Sequence, residues 1–460
     1  MKKRHLLPLV SLCIFAACNK NDVTPPPDAA TVDTLSGSIT ADLTLDAAKS
    51  YVLDGQVFVK NNATLTIPAG ITVSVVKKDD AASKSVLVIT QGSKFVVNGT
   101  VDKPVVFTSA ASTKAPGDWG GIIIIGKAPT NVGTGNVDGL AVSDDTKYGG
   151  TVADDNSGSI KYLRLEYPGG INEDAEEEWG IDKASGFVLQ TVGSGTTVDN
   201  VMVSHSRDDG FQFVGGTVNV SHLIAFNNGD DDFDFDYGYQ GNMQFLISYR
   251  TELTSTHALR ANAFESYNDA VPTLNAPLTR PIVSNMTIVG PQGVETTKTN
   301  LNQGVYIRKG TRFVMQNSII AEYPQGGLML CPRTKPVLLN KTGSIFKYNL
   351  VNSDDTASTF SYDNGSDPEG FRGVAGDMSI KAFALSDANK NQLIASSADL
   401  KLTNLYSADG PDLTPLGDSP AATGANFDGA DYSSFFTKVA YRGAIGESNW
   451  AAASPWAVWK

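Results

Sequence analysis

Short hydrophobic runs, some of them alternating with polar residues, fill most of this chain. Examples are YVLDGQVFVK (51–60), SVLVIT (85–90), KFVVNG (94–99) and GIIIIG (121–126). These runs are rich in Val and Ile and are separated by Gly, Asn, Asp and Pro, which is typical of short β-strands joined by turns. No stretch keeps a helical period over three turns, and the strand-like pattern continues unchanged between about residue 40 and residue 420. The pattern therefore predicts an all-β chain.

The strands recur with a fixed period. The sequence DDGFQF (208–213) aligns with DDDFDF (230–235) at a spacing of 22 residues. A period in the low twenties without helices fits one coil of a parallel β-helix, in which successive coils stack about 4.8 Å apart and equivalent positions form columns. A β-sandwich or a propeller also contains many short strands, but neither predicts columns at this period.

The alternation within each strand predicts which side chains face the interior of this solenoid. The residues predicted to form inward columns are Phe211, Phe213, Phe233, Phe235, Val305, Ile307, Leu328 and Leu330. The residues predicted to face outward are Val188, Gln212, Asp234 and Tyr306. Insertions interrupt the coils at 129–159, 169–185 and 251–279, and we expect them to gather on one side and to carry binding.

The first residues of the chain predict export. A basic start, an apolar run over 6–17 and the sequence FAAC (15–18) indicate a secretory signal over residues 1–17 and a bacterial lipobox, with Cys18 as the lipidated residue. An unmodified Cys18 after an ordinary signal is the alternative. Residues 18–35 contain three consecutive prolines, so we expect a disordered tether there. We expect the parallel β-helix over residues 36–420 and a C-terminal cap over residues 421–460. We expect an exported lipoprotein at the outer membrane, on its periplasmic or cell-surface face.

Charge and cysteine content narrow the possible functions. The net charge of −13 argues against nucleic acid as a partner and favours attraction of cations. Of the three cysteines, only Cys331 lies outside the first 18 residues, so we expect no internal disulfide and a packed thiol at Cys331. The oligomeric state is left open.

Several phrases of the chain resemble a family of secreted right-handed parallel β-helix lipoproteins of Bacteroidota, which is largely uncharacterised. They include GQVFVKNNATLTIPAGITV (55–73), GDWGGIIIIGKAPTN (117–131), GSIKYLRLEYPGG (158–170) and the closing YRGAIGESNW (441–450). The resemblance runs from about residue 36 to the C-terminus. It implies a right-handed β-helix of the pectate-lyase-like architecture, closed by a cap, and it implies little about function.

The aspartate-rich coils are the strongest candidate site. Stacking of the two aligned repeats brings four carboxylates together at one turn, and packed like charges either raise one another's pKa or attract a hard cation such as Ca²⁺. The predicted metal ligands are Asp208, Asp209, Asp230, Asp231 and Asn228. The alternative is that these Asp and Asn residues only shape turns.

Three functions remain open at this stage. The first is a non-enzymatic, Ca²⁺-binding lipoprotein that binds a polysaccharide or another extended ligand, with ring stacking from Trp119, Trp179, Tyr239 and Tyr306. The second is a polysaccharide lyase or glycosidase acting on acidic glycans, with Arg207, Asp234, Glu265 and Arg308 as catalytic candidates. A hydrolase would need two carboxylates about 5 to 9.5 Å apart. The third is a passive structural or adhesive spacer.

Overall fold

The structure is a computed structural model, and it describes ten segments of the chain. They are residues 32–79, 83–170, 185–251, 261–269, 273–291, 303–353, 355–363, 374–407, 409–429 and 431–460. The predicted signal, Cys18 and the tether before residue 32 lie outside the described residues, as does Trp179. No helix in the described part of the chain is long and apolar enough to cross a membrane.

Short strands dominate these segments, and helices are few. The strands of the first coils and the first insertion are β1 (Val32–Ile39), β2 (Leu43–Thr44), β3 (Ser50–Val59), β4 (Thr64–Pro68), β5 (Thr72–Val75), β6 (Val86–Ile89), β7 (Lys94–Asn98), β8 (Val105–Ser109), β9 (Ile122–Ile125), β10 (Gly135–Asn136) and β11 (Lys147–Tyr148). The strands of the middle coils are β12 (Gly158–Glu166), β13 (Phe187–Gln190), β14 (Thr197–Ser204), β15 (Phe211–Val214), β16 (Asn219–Phe226), β17 (Phe233–Asp236), β18 (Asn242–Tyr249), β19 (Phe264–Ser266), β20 (Ile282–Val289) and β21 (Val305–Ile307).

The last coils and the C-terminal part contain the two α-helices. In chain order these elements are β22 (Val314–Gln316), β23 (Ile319–Tyr323), β24 (Leu328–Leu330), α1 (Lys335–Leu339), β25 (Ile345–Lys347), β26 (Leu350–Ser353), β27 (Phe360–Asp363), β28 (Val374–Gly376), α2 (Met378–Ala384), β29 (Gln392–Leu393), β30 (Leu402–Asn404) and β31 (Asp412–Pro415). Single 3₁₀ turns lie at Asp144–Thr146 and Ser397–Leu400.

The parallel strand pairs form three stacked sheets, which makes the molecule a right-handed parallel β-helix, as the sequence predicts. Sheet 1 contains β2, β4, β7, the first halves of β12, β14, β16, β18 and β20, then β22 and β25. Sheet 2 contains the first halves of β1 and β3, then β5, β8, the second halves of the same five long strands, β23, β26 and β29. Sheet 3 contains the second halves of β1 and β3, then β6, β9, β13, β15, β17, β19, β21, β24 and β27.

The bend between sheets 1 and 2 is made by one residue per coil in the left-handed region. In successive coils this residue is Asn200 at φ 56°, His222 at 53°, Phe245 at 60° and Asn285 at 56°. A non-glycine residue at positive φ is uncommon, and Asn and His tolerate it better than most residues. The repetition of the bend at the same register keeps the coils aligned.

The interior confirms the predicted columns. The eight residues predicted to point inward are all buried in one continuous core along the solenoid. Aromatic rings stack from coil to coil, with ring centroids 5.1 Å apart for Phe211 and Phe233 and 5.0 Å apart for Phe213 and Phe235. The parallel register between β15 and β17 places these pairs directly over one another.

The outward positions of sheet 3 are covered, which the sequence did not indicate. Val188, Asp234 and Tyr306 alternate with core residues as expected, yet they expose only 3%, 6% and 1% of their surface. In the early coils the covering segment belongs to the insertion at 129–159, whose Val137 and Leu140 pack on this face. The predicted outward direction of these residues is therefore confirmed, but most of them are covered by other parts of the chain.

The described parts of two insertions meet on this side of the solenoid. The side-chain amide of Asn131 donates to the carbonyl of Asn268 at 2.7 Å, and the hydroxyl of Thr130 donates to the carbonyl of Tyr237 at 2.7 Å. The insertion at 169–185 lies outside the described residues apart from its ends.

The C-terminal part is placed differently from the expected cap. Residues of the segment 402–460, among them Ala444, Trp456 and Trp459, pack along the outer face of sheet 2 against Ile224 and Tyr249. The far end of the core is instead closed by α2, whose Ile380 and Ala384 join the interior core. Apolar outer residues on sheet 2 explain the difference, because they need a cover along the whole flank.

Candidate functional site

A column of polar side chains marks the edge at which each coil enters sheet 3. Its members stand two residues before the first inward residue of each strand: Ser185, Asp209, Asp231, Asn262 and Gln303. The backbone N–H of Asp231 donates to Asp209 Oδ1 at 3.0 Å, and the N–H of Asn262 donates to Asp231 Oδ1 at 2.6 Å. The N–H of Gln303 then donates to Asn262 Oδ1 at 3.1 Å. Asp209, Asp231 and Asn262 thus each satisfy a backbone donor of the next coil.

A second row of polar side chains runs along the outer face of sheet 3. Strand register stacks Gln212, Asp234, Glu265 and Tyr306 in consecutive coils. The side-chain amide of Gln212 lies 3.5 Å from Asp234 Oδ2, at the outer limit for a hydrogen bond. Asp236 is buried at the end of the same strand as Asp234. The row and the edge column together concentrate carboxylates on one face.

These carboxylates fall into two groups with the spacing of metal ligands. Within each group, one oxygen of every member lies within 4.8 Å of the others. The first group is Asp208, Asp209 and Asp230, and the second group is Asp231, Asp234 and Glu265. The structure therefore brings together three of the four predicted aspartates, and it assigns Asp231 to another cluster.

Burial and mutual repulsion set the protonation of this face. Burial is the main cause of the raised pKa of Asp209, Asp231 and Asp234, and repulsion from neighbouring carboxylates raises each pKa further. Burial also raises the pKa of Asp236 to about 8. Without a compensating cation, burial and repulsion therefore shift all four carboxyls toward their protonated forms.

Asp234 gives the second group a buried acceptor atom that a cation could satisfy. The residue exposes only 6% of its surface, and its Oδ1 atom has no hydrogen-bond partner among the described residues. A buried acceptor without a partner costs free energy, which binding of a cation or a water molecule offsets. The second group offers only carboxylate oxygens, which are the ligands that Ca²⁺ prefers. The residues present fit a hard cation.

The predicted ligand Asn228 has a structural role instead. Its Oδ1 accepts from the N–H of Ser206 at 3.0 Å, and its Nδ2 donates to Asp232 Oδ1 at 3.0 Å. Both ends of the amide hold the turn between sheets 2 and 3. These contacts of Asn228 fit the turn-shaping alternative.

The two arginine candidates lie in different surroundings. Arg308 is buried, donates to Glu265 Oε1, and places its guanidinium 5.2 Å from the ring centroid of Tyr306. Its pKa is raised well above the ordinary value by the Glu265 carboxylate, against the effect of burial. Arg207 lies with its alkyl chain across the positive-φ glycines Gly117 and Gly170. The structure thus brings Arg308, but not Arg207, to the second group.

The aromatic residues predicted to stack on a ligand are buried. Trp119 and Tyr239 lie in the interior core, where the indole N–H of Trp119 donates to the Glu166 carbonyl at 2.9 Å. The hydroxyl of Tyr239 donates to the Val218 carbonyl at 2.8 Å. Tyr306 faces outward but is covered, and its hydroxyl donates to Asp363 at 2.5 Å. These three predictions are wrong, because the rings pack inside the protein.

Two important residues escaped the sequence analysis. Arg250 and Asp232 are both fully buried and form an ion pair at 3.1 Å beside the first group. Arg250 also donates to the carbonyls of Asn228 and Asp230. One signal in the sequence could have revealed this pair. Arg250 directly follows an apolar strand and comes one coil after three consecutive aspartates. An aspartate that is buried there needs a positive charge nearby, which the arginine can supply.

Comparison with known proteins identifies the architecture. A family model described as "Pectate-lyase like beta helix domain" matches residues 37–390. No curated protein and no solved structure matches the chain.

Proposed function

Because this chain belongs to the pectate-lyase-like β-helix family, we propose that it is a non-enzymatic, Ca²⁺-binding protein of the cell envelope. It is exported through residues 1–17, held at the outer membrane by a lipid on Cys18, and binds an anionic glycan or another extended anionic ligand. The sequence supports the export and lipid-anchoring parts of this proposal.

The observation that carries the proposal is the pair of buried carboxylate groups on sheet 3. Packing several acidic side chains in a site with little water costs free energy unless a cation compensates their charge. The orphaned Oδ1 of Asp234 points to the same need. A bound Ca²⁺ would supply that positive charge, and the carboxylates of Asp208, Asp209 and Asp230 or of Asp231, Asp234 and Glu265 would hold it.

The groups also link neighbouring coils. The first group joins the turn before β15 to the turn before β17. The second group joins Asp231, which precedes β17, and Asp234, which lies in β17, to Glu265 in β19. In a solenoid each coil contacts mainly its neighbours, so a link between coils contributes directly to stability. The proposed cation therefore has a structural role besides any role in ligand binding.

Calorimetric titration of Ca²⁺ into EDTA-treated protein tests the two groups separately. We expect Asp208→Asn to weaken binding at the first group and Asp234→Asn to weaken it at the second, each by more than about tenfold. An amide keeps the size of the carboxylate but removes its charge. Asp418→Asn is the matched control, because Asp418 is exposed and pairs with Lys401 away from the site.

Replacing all four originally predicted aspartates, Asp208, Asp209, Asp230 and Asp231, by Asn removes charge from both groups. Asn at positions 209 and 231 retains the oxygen that accepts the N–H of the next coil. Loss of all Ca²⁺ heat in this variant, with a folded circular dichroism spectrum, supports the proposal. Undiminished heat in this variant, or no heat in the wild-type protein, would refute it.

Cleavage of an acidic polysaccharide is a second candidate function. The observation that favours it is Asp236, which lies buried at the end of the strand that carries Asp234 and whose pKa of about 8 lets the carboxyl hold a proton near neutral pH. A general acid works best when its pKa lies near the working pH. Arg308 does not favour a lyase mechanism, because its raised pKa and its pairing with Glu265 keep it protonated.

This second candidate predicts new reducing ends when the protein is incubated with polygalacturonate. Asp236→Asn should then lower the rate by about 100-fold or more, since the amide cannot donate the proton. Asp199→Asn serves as the control, because Asp199 pairs with His222 on sheet 1. A product that forms at the same rate with Asp236→Asn would exclude Asp236 as the acid.

A further inference from the structure

A basic pocket lies beside the last coils, at the end of sheet 1. It has a volume of about 220 Å³ and is formed around β25 and the turn that precedes it. Its lining residues are Arg280, Lys341, Gly343, Ser344, Ile345, Phe346, Lys347, Phe383 and Asn389. None of them belongs to the carboxylate groups of sheet 3.

The charge of this pocket is opposite to that of the protein. The chain carries a net charge of −13, yet the lining contains three cationic residues and no acidic one. Arg280 is paired with Asp431 at 2.8 Å, and its Nε donates to the Gly343 carbonyl at 2.8 Å. Within the described residues, the side chains of Lys341 and Lys347 form neither a hydrogen bond nor an ion pair. Two uncompensated positive charges therefore remain.

The fold positions these two lysines. Phe346 points into the core from β25, so the next residue, Lys347, points outward. Lys341 follows α1 with φ 55°, and this turn brings the chain back toward β25. Gly343, at φ 117°, lies close to the Arg312 side chain, where a Cβ atom would be only 2.9 Å from Arg312 Cγ. The pocket wall is thus formed by a constrained turn.

An apolar surface accompanies the charges. Ile345 and Phe383, both partly buried, present this apolar surface, and Phe383 packs against the interior core that contains Phe346. The side-chain amide of Asn389 donates to the Phe383 carbonyl at 2.7 Å, which holds this wall in place. Ligand sites typically combine apolar walls with a few polar groups, and sites for drug-sized ligands are larger, at about 300 to 1,000 Å³. The volume suits about one sugar ring.

We propose that this pocket binds the oxyanion group of an acidic sugar residue, a carboxylate or a sulfate, through Lys341 and Lys347. Lysine offers a compact positive charge with three donors on a flexible stem, so both residues can approach one oxyanion. The apolar wall takes the face of the sugar ring. This site is separate from the carboxylate groups and does not rest on cation binding there.

Ligand-observed NMR titration tests the pocket with three probes: D-galacturonate, sodium sulfate and D-galactose. We expect saturable binding of galacturonate and no binding of the neutral sugar. The double variant Lys341→Met/Lys347→Met should weaken galacturonate binding by at least about tenfold, since Met keeps the length of the stem but not the charge. Lys401→Met is the control, because that exposed lysine pairs with Asp418 elsewhere.

The probes separate the possible ligands. Binding of both galacturonate and sulfate indicates recognition of the oxyanion alone, and binding of galacturonate only indicates a sugar-borne carboxylate. Either result must persist in EDTA and in Asp234→Asn, which distinguishes it from binding through a cation. Equal binding by the double variant and the wild-type protein, equal binding of galactose, or no saturable binding by any probe would overturn the proposal. Unchanged melting temperatures of the lysine variants verify that they fold.

Discussion

Calcium should stabilise this protein strongly near pH 8 and little near pH 5. At saturation of about 100 times the dissociation constant, bound ligand adds about 2.7 kcal/mol to the free energy of unfolding. At lower pH Asp209, Asp231 and Asp234, whose pKa is raised, take up protons, so the affinity of both groups for the cation falls. The measurement is the melting temperature of EDTA-treated and Ca²⁺-loaded protein over this pH range.

The metal-free protein should lose stability as the pH rises, whereas most proteins stabilised by carboxylates lose stability as the pH falls. The pKa of Asp236 rises from 3.8 in the unfolded chain to about 8 in the folded state, and the pKa values of Asp209, Asp231 and Asp234 are also raised. The folded state therefore binds these protons more tightly. Their stabilising contribution is complete below about pH 4 and is lost as the pH rises toward about 8.

Asp234→Asn provides the matched control for this result. Because it removes one negative charge, this substitution should raise the melting temperature of the metal-free protein near pH 8. It should also reduce the increase in melting temperature that Ca²⁺ produces. An ordinary loss of packing would lower the melting temperature under both conditions. A metal-free wild-type protein that is equally stable at pH 5 and pH 8 would contradict the assignment of raised pKa values to this face.

Arg250→Met should destabilise the protein by about 3–5 kcal/mol, because it leaves the Asp232 carboxylate buried without its countercharge. Both side chains have no exposed surface. Ser248 donates to Asp232 Oδ2 at 2.5 Å and remains after the substitution, but a hydroxyl does not replace a charge. Urea unfolding followed by circular dichroism measures the loss.

A double-mutant cycle separates the ion pair from packing. Arg250→Met/Asp232→Asn removes both charges, so it should be more stable than Arg250→Met alone. Because the two side chains contact each other, the effects of the two substitutions on the free energy of unfolding should not add. The effects of two independent substitutions would add. A loss below about 1 kcal/mol for Arg250→Met would show that the pair is exposed to solvent in solution, contrary to its burial in the structure.

Arg250 also connects stability to the candidate site. Its guanidinium donates to the carbonyls of Asn228 and Asp230, which hold the turn that carries the first carboxylate group. Arg250→Met should therefore weaken Ca²⁺ binding at that group more than at the second. The second group extends one coil further along, and among the described residues none of its carboxylates accepts a hydrogen bond from Arg250.

Half of the candidate site was predictable from the repeat. In a parallel β-helix, residues one coil apart become neighbours, so the alignment of 208–213 with 230–235 placed Asp208 and Asp209 next to Asp230. The second group was less accessible, because Asp234 and Glu265 are 31 residues apart and an insertion separates their coils. No fixed period relates them, and only the strand register brings them together.

The sequence by itself determined the fold class, the period and the inward columns. It could do so because alternation within a strand and repetition between coils are local properties, and a solenoid is built from local contacts. The tertiary structure decided which outward residues are covered. The same polar and aromatic side chains would be exposed on a bare solenoid, but the insertion at 129–159 and the C-terminal segment cover parts of sheets 3 and 2. Burial raises the pKa of the aspartates and covers the outward-facing Tyr306, whereas Trp119 and Tyr239 turn into the interior core. These outcomes depend on the packing of segments far apart in sequence.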